Sequence, residues 1–311
     1  MPDRPPDWQK RHLGGDHGPA NLPEPQAVRR LLSALKLGAK KRWGQNFLAN
    51  PDTAQRIVDL AELLPEHTVW EIGPGLGILT ERLLKTGARV IAFEIDWGLV
   101  NFLTDRFGRE SFEILPGDAV KGLSQARGEY GIPERLVSNL PYRSAAAILG
   151  RMVEMALWIP LQVITVQKEV ADRMAAEPGS KDYSSFSVLI QSAYEVRSEL
   201  QLPPGVFYPV PEVDSRVLRL RLREGAPADP EALSRLCRAS FASRRKTLRN
   251  NLRAAGYRGR EATLKPGTTG TTGGLEEALG TLDIDPETRA ERLTVDQFVR
   301  LAECLTTAPV G

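Results

Sequence analysis

Short apolar strands alternate with helical segments between residues 68 and 176, and this alternation restricts the fold more than any other feature of the chain. Five apolar runs are separated by amphipathic stretches, a pattern typical of βαβ units and of a parallel sheet covered on both faces. A later stretch, VFYPVPEVDSRVLRLRL (206–222), alternates apolar with charged residues, as an edge or antiparallel strand does. The sequence therefore predicts an α/β fold.

The segments that flank this α/β region differ from it in composition. Residues 1 to about 25 are rich in proline, glycine and charge and are predicted to be disordered, with an amphipathic helix after them. REGAPADPEAL (223–233) has the composition of a linker. Helical segments are predicted after it at 231–255, 274–282 and 294–305, with a Gly/Thr-rich loop, KPGTTGTTGG (265–274), after the first of them. We predict an N-terminal extension (1–35), a main domain (36–223) and a small helical domain (224–311).

Composition excludes several classes of function. The net charge is +2, so any affinity for nucleic acid must come from local patches. Cys237 and Cys304 do not have metal-ligand spacing, and His12, His17 and His67 are scattered, so no metal site is predicted. We find no apolar run long enough for a membrane span and no signal peptide, and so few cysteines are typical of a reducing compartment. The sequence favours a cytoplasmic protein.

A glycine-rich turn follows the first strand of the α/β region. In EIGPGLGIL (71–79) the glycines are Gly73, Gly75 and Gly77, and Ile78 stands where a dinucleotide-binding fingerprint needs glycine. Glu71 precedes the turn, and a carboxylate there favours a cationic ligand over a pyrophosphate. The pattern matches S-adenosylmethionine, which carries an ammonium and a sulfonium group; a tight turn without a ligand is the alternative.

Two further acids end the next strands and strengthen this interpretation. Glu94 lies near the end of the second strand, at the distance where a carboxylate takes both ribose hydroxyls, and Asp96 is a competing candidate. Asp118 follows the third strand and is placed to accept a hydrogen bond from the adenine amino group of S-adenosylmethionine. Because open α/β sheets bind ligands at the carboxyl ends of their strands, these acids predict an S-adenosylmethionine site.

The fourth strand ends in the NLPY loop (residues 139–142), whose Asn and Pro are also common turn residues. The lone pair of an adenine amino nitrogen is delocalised into the ring, so this nitrogen is a poor nucleophile. Acceptors at the Asn139 side chain and the Leu140 carbonyl can hold both amino hydrogens and direct the lone pair at the methyl group. Pro141 stiffens the turn, and Tyr142 offers a face on which an extruded base can stack. The loop therefore predicts methylation of an adenine.

Basic residues are concentrated in two places. Nine basic residues and no acidic ones occur from 235 to 260, among them Arg244, Arg245, Lys246 and Arg249. Lys40, Lys41 and Arg42 form a second cluster. Charge runs are commonly solvated helix faces, but a run without acids would repel itself in the absence of a polyanion. We predict that both clusters bind RNA phosphates.

Several motifs in order resemble those of one family. NLPY, with GQNFL (44–48) upstream and VFYPVPEVDS (206–215) downstream, is similar to the ribosomal RNA adenine dimethyltransferases, and among these to the small-subunit type. The resemblance extends over about residues 36–303. It implies a Rossmann-like class I methyltransferase sheet with a C-terminal helical domain. It also implies dimethylation of two adjacent adenosines near the 3′ end of small-subunit RNA, in an immature 30S particle, by a monomer.

The same resemblance assigns roles to individual residues. Asn46 and Leu48 would close over the methyl donor, and Gly73, Glu94, Asp118 and Asn139 would contact it. Phe207 would stack on the target adenine opposite Tyr142, although a phenylalanine before a Pro-x-Pro turn is more often a core residue. Arg143 departs from the family, which usually has Asn or His there; it either contacts an RNA phosphate or points to solvent.

Two other functions remain open at this point. One is the antibiotic-resistance type of enzyme, which methylates a large-subunit adenosine; NLPY and RRKTLRNNL (244–252) favour the small-subunit type. The other is a non-catalytic RNA-binding assembly factor that has kept the fold, which intact Asn139, Tyr142 and Glu94 disfavour.

Overall fold

A computed structural model of the 311-residue chain describes residues 24–39, 43–108, 110–259 and 274–307. Three predicted features therefore lie outside the described residues: the disordered segment before residue 24, the basic cluster Lys40–Arg42, and nearly all of the Gly/Thr loop.

Within these ranges the helices and strands follow the predicted order. The helices are α1 (Glu24–Ala34), α2 (Pro51–Asp59), α3 (Ile78–Lys85), α4 (Trp97–Phe107), α5 (Ala119–Tyr130), α6 (Ala145–Glu154), α7 (Lys168–Met174), α8 (Ser185–Ala193), α9 (Pro230–Ser240), α10 (Leu248–Ala254), α11 (Leu275–Thr281) and α12 (Val295–Cys304). The strands are β1 (Phe47–Leu48), β2 (Thr68–Ile72), β3 (Arg89–Glu94), β4 (Phe112–Pro116), β5 (Arg135–Asn139), β6 (Leu161–Gln167), β7 (Tyr194–Leu202), β8 (Phe207–Tyr208), β9 (Ser215–Leu222), β10 (Tyr257–Gly259) and β11 (Leu305–Thr307).

The main sheet has seven strands in the order β4-β3-β2-β5-β6-β9-β7. Neighbouring strands from β4 to β6 are parallel, and β9 pairs antiparallel with β6. The strand order reverses at β2, because β3 lies on one side of it and β5 on the other. Such a switch point opens a crevice at the carboxyl ends of the strands. The predicted α/β fold class is confirmed; β9 is antiparallel as predicted but lies inside the sheet, with β7 at the edge.

Local sequence explains the strands and helices that position this crevice. Strand β6 is buried from Leu161 to Val166, and Val163, Ile164 and Val166 are fully buried, as expected for a strand covered on both faces. Helix α2 begins at Pro51, and the side chain of Asn50 before it accepts a hydrogen bond from the Thr53 amide at 2.7 Å.

The chain forms two compact units. The described residues of the first unit lie within Met1–Ile148, Trp158–Ala171 and Val196–Arg221, and those of the second lie within Leu149–Leu157, Asp172–Glu195 and Leu222–Gly311. The core of the second unit is built from leucines and Phe298.

One predicted helical segment is divided in the second unit. Residues 231–255 read as continuous helix in sequence, but α9 ends at Ser240 and α10 begins at Leu248. The buried Asn251 side chain donates to the carbonyls of Ser240 and Ser243, at 2.7 and 3.0 Å, and so satisfies the end of the first helix. The prediction of a single helical segment is therefore wrong, because two side-chain hydrogen bonds from Asn251 stabilise the break.

Candidate functional site

A cavity of about 240 Å³ lies at the carboxyl ends of β2, β3 and β5, all within the first unit. Most of the residues predicted from the sequence line it: Asn46, Leu48, Glu71, Gly73, Gly75, Glu94, Asp118, Asn139, Leu140 and Pro141. Gly77, Tyr142 and Phe207 are not among its lining residues. Asn46 and Asn139, which are 93 positions apart in sequence, are therefore brought together at the point where the strand order reverses.

The glycine loop (residues 73–77) packs against two other motifs. Gly73 and Gly75 have φ angles of 70° and 59°, in the left-handed region that favours glycine. A Cβ on Gly75 would lie 2.8 Å from the ring of Phe47, and one on Gly73 would lie 3.2 Å from Pro141. The missing side chains let the loop approach both neighbouring segments.

Gly77 has a different role from the other two glycines. It precedes α3 in the left-handed conformation, and a Cβ there would meet Phe107 of helix α4 at 2.7 Å. Helix α4 fills the space that the missing side chain frees and Gly77 does not line the cavity, so its contact with the methyl donor stays a prediction.

Glu71 is a buried carboxyl group in the wall of the cavity. It is 1% exposed, and its Oε2 accepts a hydrogen bond from Thr80 Oγ1 at 2.7 Å. Burial raises its pKa to about 8, only partly offset by that hydrogen bond. A nearby cation would favour the ionised form, so this group fits a positively charged ligand.

Glu94 and Asp96, the two candidates for the ligand-binding acid at the end of β3, differ in their hydrogen-bond contacts. Glu94 lines the cavity, and its two oxygens accept from the amides of Asp96 (2.9 Å) and Gly75 (3.4 Å). Burial raises its pKa to about 7. The Asp96 side chain instead caps helix α4, accepting from the Gly98 amide at 3.1 Å. The geometry therefore favours Glu94 as the ligand-binding acid.

Asp118 combines a structural position with a place in the cavity wall. One carboxylate oxygen caps helix α5 by accepting from the Val120 amide at 2.8 Å. The residue is exposed and lines the cavity. Its predicted contact with an adenine amino group remains compatible with this position.

Asn139 connects the NLPY loop to the GQNFL segment. Its Nδ2 donates to the Asn46 carbonyl at 2.9 Å, and Asn46 Nδ2 donates in turn to the Pro209 carbonyl at 2.7 Å. The first bond fixes the orientation of the Asn139 amide. Its Oδ1 is buried and has no hydrogen-bond partner among the described residues. Because a buried acceptor without a partner costs free energy, this oxygen is suited to a donor on a ligand.

Tyr142 and Phe207 form an edge-to-face pair beside the cavity. Their ring centroids are 6.3 Å apart at 74°, and the Tyr142 hydroxyl bonds to Ser215 Oγ at 2.6 Å. Phe207 is fully buried, while β8 pairs with β1 through Leu48. This burial agrees with the core alternative, since no face of the Phe207 ring is open to a base in this conformation. Stacking on a target adenine would require the ring to move.

Sequence reasoning missed other lining residues. Ile95 is 37% exposed, directly follows Glu94 at the end of β3 and lines the cavity. Its only signal in the sequence is that it is an apolar residue at the end of a strand. Trp43, Gln45 and Ser144 line the cavity beside the two recognised motifs. Arg143, whose role was left open, also lines it.

The basic run in the second unit is largely paired, contrary to the argument made from its sequence. Five of its arginines lie within ion-pair distance of acids outside the run: Arg235–Glu231, Arg238–Glu154, Arg244–Glu291, Arg249–Glu287 and Arg253–Glu276. The expectation of uncompensated repulsion is wrong, because folding brings distant acids to the run. Arg245 and Lys246 are exposed and make no ion pair within the described part of the chain.

The described ranges lack two further features. They contain no group of three or more His, Cys, Asp or Glu residues placed to hold a metal ion. No helix in those ranges has both the length and the apolar character needed to cross a membrane.

The cavity fits a cationic nucleoside ligand together with an amine. Three acids, Glu71, Glu94 and Asp118, lie along the ends of β2, β3 and β4, and the unpartnered Asn139 oxygen lies at the end of β5. Acids favour a cation, and a buried acceptor favours an N–H donor. The arrangement can therefore hold a positively charged donor beside an amino group.

The amino-acid sequence of the chain is similar to those of known proteins. Residues 37–307 match the model of the family described as "Ribosomal RNA adenine dimethylase". The chain is 38% identical over 297 residues to the ribosomal RNA small subunit methyltransferase A of Bacillus pumilus, covering 93% of this chain and 98% of that protein.

Solved structures share the fold. A dimethyladenosine transferase from Plasmodium falciparum matches with a TM-score of 0.67 and 24% identity, covering 82% of this chain and 95% of that one. The 23S rRNA methyltransferase ErmE matches with a TM-score of 0.57 and 25% identity, covering 83% and 98%.

Proposed function

The chain belongs to the ribosomal RNA adenine dimethylase family, and from this premise we propose that its substrate is two adjacent adenosines near the 3′ end of small-subunit RNA. As a member of that family it is an S-adenosylmethionine-dependent methyltransferase that acts on adenine in ribosomal RNA. The relatives named as small-subunit methyltransferases support the choice of RNA. Two methyl groups on each of two adenosines require four transfers, a detail that belongs to the proposal.

S-Adenosylmethionine supplies an electrophilic methyl group on a sulfonium. In the proposed site Glu71 balances the positive charge of the donor, and Glu94 accepts from its ribose hydroxyls. Gly73 and Gly75 let the backbone approach the donor, and Asp118 accepts a hydrogen bond from the amino group of the donor's own adenine. Asn46 and Leu48 close the cavity from the other side.

The NLPY loop would activate the acceptor. Asn139 Oδ1 accepts one hydrogen of the adenine amino group, and the Leu140 carbonyl accepts the other. Two such bonds hold the nitrogen with its lone pair directed at the methyl group, so positioning supplies most of the acceleration. Pro141 packs against Gly73 and sets the distance between loop and donor. Tyr142 provides an aromatic ring near the base.

The unpartnered Asn139 oxygen is the observation that carries this mechanism. We expect Asn139→Ala to lower kcat by about 10²–10³, the usual cost of losing one positioned hydrogen-bonding group, with a smaller loss of donor affinity. Asn101→Ala, an exposed amide on α4, serves as the matched control. Single-turnover methylation of unmethylated small subunits measures the effect, and wild-type rates in the Asn139 variant would refute the mechanism.

Large-subunit RNA is the second candidate substrate, and the fold match with ErmE is the observation that favours it. The identity to small-subunit enzymes is higher, at 38% against 25%. Incubation with labelled donor and separated unmethylated subunits decides between them. We expect label only in the small subunit, in two adjacent dimethyladenosines.

The remaining parts of the proposal concern binding and assembly. We propose that residues 224–311 form the RNA-binding domain, and that Arg244, Arg245, Lys246 and Arg249, together with Lys40, Lys41 and Arg42, contribute to RNA binding. The substrate would be an immature 30S particle in the cytoplasm, and the active form a monomer. Native mass spectrometry of the protein with and without the particle tests the assembly state.

A further inference from the structure

Arg143 is the only cationic side chain among the described residues that line the cavity. It directly follows the NLPY loop and is exposed. The acids Glu71, Glu94 and Asp118 line the same cavity at the ends of other strands. The carboxyl groups of the cavity thus lie along β2 to β4, and the single cation among its described lining residues lies beside the loop that would receive the adenine.

The stem of Arg143 is held by a neighbouring segment. Gly44 has a φ angle of 65°, and a Cβ on it would lie 3.1 Å from both Cγ and the backbone nitrogen of Arg143. Only a residue without a side chain lets the 43–46 segment lie this close over the arginine. Trp43, which also lines the cavity, directly follows the basic cluster Lys40–Arg42 in sequence.

The start of helix α6 adds to the positive potential at this position. Ser144 lines the cavity, and α6 begins at the next residue. Because the amino end of a helix carries a partial positive charge, the potential of α6 reinforces that of Arg143. The side chain and the helix end together suit an anion.

From this placement we propose that Arg143 binds a backbone phosphate of the acceptor RNA next to the extruded adenosine, an inference that rests on the proposed function. The phosphates of a nucleotide are attached to the same sugar as its base, so a cation beside the base-binding loop lies within reach of one of them. Guanidinium donates up to five N–H bonds in a planar fork that matches a phosphate. The contact would hold the nucleotide while Asn139 holds its amino group.

The test separates the RNA phosphate from the carboxylate of the methyl donor, the other anion that this cavity would receive. Arg143→Gln is compared with Arg143→Lys and with Arg56→Gln, which removes an exposed charge from α2 outside the cavity. Donor binding is measured by calorimetry without RNA, and affinity for the unmethylated small subunit is measured from 50 to 200 mM salt.

We expect Arg143→Gln to weaken subunit binding about tenfold and to reduce the slope of log K against log salt by about 0.7–0.9, the value for one phosphate. Arg143→Lys should restore part of the affinity, whereas donor binding stays at the wild-type level. Weaker donor binding with an unchanged salt slope would overturn the inference and assign Arg143 to the donor carboxylate. If the wild-type protein is an active methyltransferase and Arg143→Gln binds the subunit as the wild-type protein does, the inference about Arg143 is overturned and the proposed function stands. If the wild-type protein is inactive, the proposed function is overturned as well.

Discussion

Glu71 is a carboxyl group held away from water beside a second buried carboxyl group, Glu94. Burial raises the pKa of Glu71 to about 8 and that of Glu94 to about 7. Both groups therefore keep a proton at a pH where an exposed carboxyl group has lost it. A cationic donor favours the ionised form, so donor binding near neutral pH should release a proton.

We therefore expect donor affinity to rise about three- to tenfold between pH 6 and pH 7.5. Below its pKa of about 8, Glu71 must lose a proton to meet the cation, and this cost shrinks as the pH rises. Calorimetry in two buffers of different ionisation enthalpy measures both the affinity and the protons released. Glu71→Gln should flatten the profile.

Glu113→Gln is the matched control for this experiment. Glu113 lies on strand β4 outside the cavity, and its hydrogen bond with Arg89 lowers its pKa. Its replacement should leave the pH dependence unchanged, and a flat profile in the wild-type protein would contradict the role given to Glu71.

The raised pKa of Glu71 also means that the ligand-free protein loses stability as the pH rises from about 4.5 to 8. The Glu71→Gln variant should lack that loss.

At the scale of elements, the glycine loop depends on what packs against it. Gly75 and Gly108 both have positive φ angles, 59° and 70°, but only Gly75 has a close neighbour, the ring of Phe47 at 2.8 Å. Nothing lies within 4 Å of a Cβ on Gly108. The two positions therefore separate backbone strain from steric clash.

We expect Gly75→Ala to weaken donor binding more than tenfold, because the new methyl group must displace Phe47 and the strand that carries it. Gly108→Ala should cost only the conformational penalty, about 1–3 kcal/mol of unfolding free energy for φ 70° and ψ −155°, a region that is almost exclusive to glycine, with donor affinity unchanged. Donor titration and chemical denaturation of both variants check this. Equal losses of donor affinity in the two variants would show that packing against Phe47 is unimportant.

The elements also show what the sequence could predict. Strand and helix order followed from local apolar patterns, and the glycine loop and acids at the strand ends followed from the switch-point rule. Long-range contacts were not predictable in this way. The short pairing of β1 with β8 and the contact of Arg106 Nη1 with the Leu76 carbonyl at 2.8 Å join segments far apart in sequence. Choosing Glu94 over Asp96 likewise needed the Gly98 contact, which only the folded chain reveals.

For the whole molecule, charge is a property of the folded surface and not of the sequence run. The run from 235 to 260 has nine basic residues and no acid, yet folding brings acids to five of the arginines. Arg244 also donates to the Lys181 carbonyl at 3.0 Å. Neutralising Arg244 would therefore disturb the second unit as well as any RNA contact. Arg245 and Lys246 are better probes of RNA binding.

We expect the double variant Arg245→Gln/Lys246→Gln to weaken binding of the small subunit and to flatten its salt dependence by about 0.7–0.9 for each lost phosphate contact. Its unfolding free energy should stay within about 0.5 kcal/mol of wild type, because both side chains are exposed and without an ion pair among the described residues. Lys85→Gln is the matched control: it breaks the exposed ion pair with Glu81 outside the basic run, and it should leave the salt slope unchanged and lower stability by about 0.3–0.5 kcal/mol. If the double variant kept the wild-type salt slope, the cations of the second unit would be solvated surface charges, and RNA affinity would have to arise in the first unit, where Arg143 is placed.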